Sequence, residues 1–218
     1  MMFTTSRIVR GTAMVATASA LAFAVVGFTG SSRTTAADSP KDEWLKGLNG
    51  KHRQLFDTPD PGIGIPLVHI MNYYDTYNKS YGVKDADIDA VLTFYGSTTF
   101  HGLNDAMWAK YKLGEFMKIN GPDGQPAVAN PWRSAPVILG APLQAASIEA
   151  LQKRGMTGIL CNNALGIFSG LVAKARGLEA NAVYEDMKAN ILPGVELVPG
   201  MVIAIEQAQA KGLSYLRH

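Results

Sequence analysis

The sequence predicts an α/β fold, a mostly parallel sheet with helices on both faces. Segments with apolar residues three and four apart alternate with short continuous apolar runs, the pattern of buried parallel strands joined by right-handed helical crossovers. The helical segments end at Gly155, Gly177, Pro193-Gly194 and Gly212, residues that stop helices. The 218 residues are 47% hydrophobic and 17% charged, with one cysteine, which excludes disordered, collagen-like and disulfide-stapled chains and suits one domain with a real core.

The first 37 residues stand apart. Arg7 and Arg10 precede the apolar, alanine-rich run 13–28, and small residues follow at Thr35-Ala36-Ala37. A basic start, an apolar stretch short for a span and a small-residue end form the pattern of a secretory signal peptide over 1–37. Cleavage is expected after Ala37, with Ala22-Phe23-Ala24 as a rival site, and an uncleaved anchor is the alternative, in which residues 13–28 alone would touch a membrane. The expected location is therefore periplasmic or otherwise extracytoplasmic. The chain's net charge is +2, and this segment holds three arginines and no acid, so residues 38–218 carry −1. A near-neutral body without a basic stripe excludes nucleic acid as the main partner.

Ser39-Pro40-Lys41-Asp42 reads as the opening of a short helix that places Trp44 and Leu48 on one face. A strand over 53–57 stops at Thr58-Pro59-Asp60-Pro61-Gly62. Pro66 then opens a helix with Leu67, Ile70, Met71, Tyr74 and Tyr77 on one side. A buried strand over 89–95 leads into a loop, 96–101, and one helix from about 103 to 117. Residues 121–134 have no periodicity and form a long loop, of the kind that covers sites. A short helix over 146–154, a strand over 156–161, a helix to Gly177 and another over 180–191 follow. A strand over 195–198, a helix from Pro199 to Lys211 and a closing strand over 213–217 complete the chain.

Ligands of open α/β sheets bind beyond the carboxyl ends of the strands. Residues 57–58, 97–101, 161–163 and 199–200 lie there, which makes Ser97, Asn162 and Asn163 candidates for ligand contact, with Trp132 from the long loop. Cys161 is the chain's one thiol, closes a strand and precedes a helix N-terminus, where backbone N–H groups favour a sulfur anion. The bland alternative is a small core residue. His101, between strand and helix, is an acid/base candidate against the alternative of a capping or exposed histidine. His52, His69 and His218 show no ligand spacing, and no Cys-x-x-Cys or His-x-x-x-His occurs, so neither a metal nor a cofactor is expected. Gly62-Ile63-Gly64 lacks the third glycine of a dinucleotide fingerprint, and Ser97 has no Gly-x-Ser-x-Gly elbow around it.

The run from Ile148 through Gly155 and Cys161-Asn162-Asn163 to Leu165 resembles the middle of DsrE/DsrF-like proteins. The tail from Val198 through Gly212 and Tyr215 to Arg217 resembles that family's closing helix and edge strand. The strand and loop over 90–101 also fit, so the likeness spans roughly residues 50–218, a single domain over 38–218. It implies a three-layer sandwich assembled as trimers or hexamers, and sulfur relay through a cysteine persulfide. Cys161 would carry sulfur from a sulfane donor to an acceptor, His101 would serve as acid/base, and Asn162 and Asn163 would offer amides to the anion. Export, the 121–134 loop and the lack of a helper cysteine depart from the family's relay members. Sulfur transfer therefore competes with a non-catalytic reading: an oligomeric exported binding or scaffold module, its contacts made by the tyrosine-rich helix and the Trp132 loop.

Overall fold

The computed structural model describes residues 42–133 and 136–218. The signal-peptide reading of 1–37 and the cap residues Ser39 to Lys41 fall outside them. The sheet has five parallel strands, β1 (His52–Asp57), β2 (Ile88–Phe94), β5 (Thr157–Cys161), β6 (Val195–Val198) and β7 (Ser214–Arg217), in the order β6-β5-β2-β1-β7. The α/β class with helices on both faces is as predicted. A separate hairpin, β3 (Val137–Ile138) and β4 (Ala141–Pro142), turns at Leu139 and Gly140 with φ of 53° and 82°. That pair of positive φ values is what a tight two-residue hairpin requires.

Alternation along each strand divides the interior into two cores. Phe56, Ala90, Leu92, Phe94 and Leu160 face α2 (Ile65–Tyr81), α3 (Asp105–Tyr111), α4 (Leu113–Met117), α5 (Ile148–Lys153), α6 (Asn162–Arg176) and α7 (Ala180–Ala189). Leu55, Val91, Ile159 and Cys161 face the opposite way, towards α1 (Glu43–Lys46) and α8 (Met201–Ala210). The larger core contains the fully buried Trp108, Tyr74 and Phe100, and the smaller one Trp44, Leu48, Met201 and Ala208. Chain direction at the carboxyl rim follows from this division. After β5 the chain enters α6 on the first face, and after the neighbouring β6 it enters α8 on the second. The topological switch point of the sheet therefore lies between Cys161 and Val198, which are paired in register.

Several elements differ from the expectation. The 96–101 loop is a 3-10 helix, Gly96–Gly102. The single helix over 103–117 is two helices, because Lys112 takes a left-handed conformation, φ 47°, and breaks the hydrogen-bond ladder between α3 and α4. The helix at 146–154 begins at Ser147, whose hydroxyl accepts the Ala150 N–H at 3.1 Å, after a 3-10 turn over Gln144–Ala146.

The long loop is irregular, as predicted, yet firmly attached. Asn130 lies at its centre: its Nδ2 donates to the carbonyls of His101 and Leu103, both at 2.8 Å, and its Oδ1 accepts the Trp132 N–H. Further back, Gly114 allows the loop to approach α4. A Cβ there would stand 2.3 Å from the Ala127 backbone nitrogen, a distance no side chain tolerates.

Candidate functional site

The switch point places Cys161 where two helices begin. Its Sγ accepts the N–H of Ala164, in the first turn of α6, at 3.4 Å, and that of Met201, at the start of α8, at 3.3 Å. The sulfur thus caps both helices, where the backbone dipoles favour negative charge. It does not stand open at the rim: Cys161 is 6% exposed and packs with Ile159, Val198 and Met201. Asn162 uses its Oδ1 to accept the Tyr184 hydroxyl at 2.6 Å, which ties α6 to α7. Asn163 is exposed, and its amide nitrogen lies 3.3 Å from the point where a Cβ on Gly200 would stand.

His101 is not brought to Cys161. Its ring belongs to the opposite core, 4.3 Å from the Trp132 ring and 5.3 Å from that of Trp108, centroid to centroid. It is 1% exposed, and both ring nitrogens are buried without a well-formed hydrogen bond, the Thr98 backbone alone favouring the charged form. Burial pushes its pKa down to about 3, so the imidazole is neutral at physiological pH. A neutral imidazole carries one donor and one acceptor, and leaving both unmatched in an interior is costly.

Beside this ring lies a cavity of about 1050 Å³, at the carboxyl end of the sheet and under the long loop. Its walls are mostly apolar, with Ile63, Ile119, Val128, Trp132 and Ile138 among them, and its polar lining includes His101, Asn130, Asp105 and Arg133. The Arg133 guanidinium is already engaged, by Asp105 at 2.9 Å and Glu149 at 2.5 Å. At the rim, Gly62, Ile63 and Gly64 all have positive φ, of 42°, 50° and 81°. For a β-branched residue such as Ile63 that conformation costs about 1–2 kcal/mol. The volume, apolar walls and few polar groups match a small-molecule site.

Of the predicted site residues, the structure therefore gathers Trp132 and His101 at one cavity and places Cys161, Asn162 and Asn163 at the switch point. Ser97 belongs to neither; its N–H donates to the Pro59 carbonyl at 2.9 Å. Asn130 and Arg133 were not singled out by sequence, because an irregular loop gives no periodicity from which to judge which side chains turn inward. A further buried group emerges on the α8 face, where Asp57, 1% exposed, accepts the Tyr215 hydroxyl at 2.5 Å and the Thr93 hydroxyl at 3.4 Å. Burial, then the contact with Asp57, raises the Tyr95 and Tyr215 phenols above their ordinary range, which keeps them as donors.

Among the described residues, no group of three or more His, Cys, Asp or Glu side chains is placed to hold a metal ion, and no helix is long and apolar enough to cross a membrane. No family model matches the chain, and no curated protein matches it.

Proposed function

We propose that this chain is an exported binding protein that takes a small, uncharged, largely apolar molecule into the cavity beneath the 121–134 loop. The carrying observation is the cavity itself: about 1050 Å³ at the carboxyl end of the sheet, walled mostly by apolar side chains, with Trp132 and the neutral imidazole of His101 in its lining. A ligand of mostly apolar atoms would lie along the walls formed by Ile63, Ile119, Val128 and Ile138, against the edge of Trp132. An anion fits less well, because the one cation in the lining, Arg133, is held by two carboxylates. Export rests on residues 1–37.

Titration with the neutral dye Nile red tests this reading. Saturable binding of one dye per chain is expected, with quenching of tryptophan fluorescence. Trp132→Ala should weaken binding about fivefold or more, in line with the loss of an aromatic contact of about 1 kcal/mol. Unsaturable binding, or equal affinity in the variant, would refute it.

One observation favours a second reading, sulfur relay in a DsrE-like protein: two helix N-terminal amides converge on the one thiol of the chain, at the switch point of the sheet. In that chemistry the Cys161 thiolate attacks the sulfane sulfur of thiosulfate. The new S–S bond forms as the sulfur–sulfur bond of thiosulfate breaks, sulfite leaves with the electron pair, and Cys161 holds a persulfide. Without reducing agent, thiosulfate or polysulfide should then add the mass of one sulfur atom to the wild type and nothing to Cys161→Ser. An unmodified wild-type chain eliminates the relay. The trimer or hexamer implied by the family likeness belongs to this reading.

A further inference from the structure

We propose that His69 and His218 form a two-imidazole clamp for a divalent transition-metal cation, at a site separate from the cavity and from Cys161. The two residues are 149 positions apart in sequence, yet their Nδ1 atoms stand 3.3 Å from one another. At zinc–nitrogen bond lengths near 2.0–2.1 Å, two ligands of one tetrahedral ion are about 3.3 Å apart, so the observed spacing is one edge of such a coordination sphere. As a hydrogen bond, the same contact is long.

Both rings are presented by ordered elements. His69 projects from the 17-residue helix α2 and is exposed, which gives an ion a path from solvent. His218 follows β7, with its N–H donated to the Asp57 carbonyl at 2.9 Å and its ring stacked on Phe56 at 6.2 Å and 14°. The two imidazoles are tilted 39° to one another, at 4.7 Å between centroids. His69, and the Phe56 ring on which His218 stacks, border a groove of about 720 Å³ whose lining also includes the neutral polar side chains of Gln54, Asn72 and Thr76. His52 lines the same groove but packs against Tyr77, 4.2 Å between centroids and tilted by 33°. Imidazole donors select Cu²⁺, Ni²⁺ and Zn²⁺ over Mg²⁺ and Ca²⁺, with Cu²⁺ first.

The test uses the full chain without an added histidine tag, titrated with CuSO4, NiCl2 and ZnCl2 against a competing chelating dye. One ion per chain is expected, with Cu²⁺ bound most tightly and MgCl2 without effect. His69→Ala and His218→Ala should each weaken binding about tenfold or more, with unchanged far-ultraviolet circular dichroism. Cys161→Ser, which removes the chain's one thiol, should bind as the wild type does. The Cu²⁺ complex should show nitrogen hyperfine structure from two imidazoles in electron paramagnetic resonance, reduced to one in either histidine variant. Absence of binding, undiminished binding in either histidine variant, or loss of binding in Cys161→Ser would overturn the proposal.

Discussion

The sulfur of Cys161 illustrates how one side chain satisfies several backbone groups at once. The sequence places it before a helix, and it is the N-cap of α6; what the sequence does not convey is that Met201, forty residues on, brings a second N–H to the same atom. The two contacts, together with Ile159 and Val198, bury the thiol, as in the alternative of a small core residue. His101 shows the reverse: its position between strand and helix was legible, but its packing between Trp108 of α3 and Trp132, in a loop some thirty residues away, was not. A consequence for stability follows. The unfolded chain takes up a proton at His101 near pH 6.5, whereas the folded chain resists until about pH 3. Between those values the unfolded state binds more protons, so acidification costs up to about 1.4 kcal/mol per pH unit from this residue. Urea unfolding at pH 7, 5.5 and 4.5 should show a shallower loss of stability in His101→Phe than in the wild type. Parallel acid limbs would contradict the assignment.

At the level of elements, periodicity served where helices pack on one face and failed where the backbone breaks. α2 opened beside Pro66 as predicted and α6 emerged with nearly its predicted extent, because their apolar residues recur every three or four positions; glycines in the left-handed conformation end them, Gly82 at φ 67° and Gly177 at φ 66°. The break at Lys112 carries no such signal, since lysine has no preference for the left-handed region that would reveal it. Between elements, Arg154 joins α5 to α2. Its guanidinium bonds Asp75 at 2.6 Å, Asn78 at 2.7 Å and Asp85 at 2.9 Å and lies 4.7 Å from the Tyr74 ring centroid. The Arg154 contact is the largest of the causes that hold the Asp85 carboxyl below its ordinary range. Arg154→Met keeps the aliphatic stem and removes these bonds, so stability should fall by about 2 kcal/mol or more. The Asp85 pKa should rise towards the ordinary carboxylate value. A urea midpoint within error of the wild type, or an unmoved Asp85 titration by nuclear magnetic resonance, would show that the network contributes little.

Across the whole molecule, strand alternation makes two cores, and the direction of each connection decides where the sheet opens. Composition and the succession of strands and helices were enough for the α/β class, because a strand buried on both faces is a run of apolar residues, as β2 is from Ala90 to Leu92. The order β6-β5-β2-β1-β7 was not legible. Nothing local distinguishes the crossover of α8, which carries the chain from one edge of the sheet to the other, from a crossover to an adjacent strand. That one connection puts the α6 and α8 N-termini side by side on Cys161 and brings His218 to His69.

By itself, then, the sequence determined the local properties: which segments are helical or extended, which residues end them, and which chemically capable side chains lie just past the strands. These depend on neighbours a few positions apart, where propensity and periodicity act. Only the tertiary structure decided that Cys161 is enclosed, that His101 and Trp132 share a cavity, and that two histidines with no sequence spacing form a pair. Burial and partnership are set by segments that meet across the fold, and their free energies exist only once the chain has closed on itself.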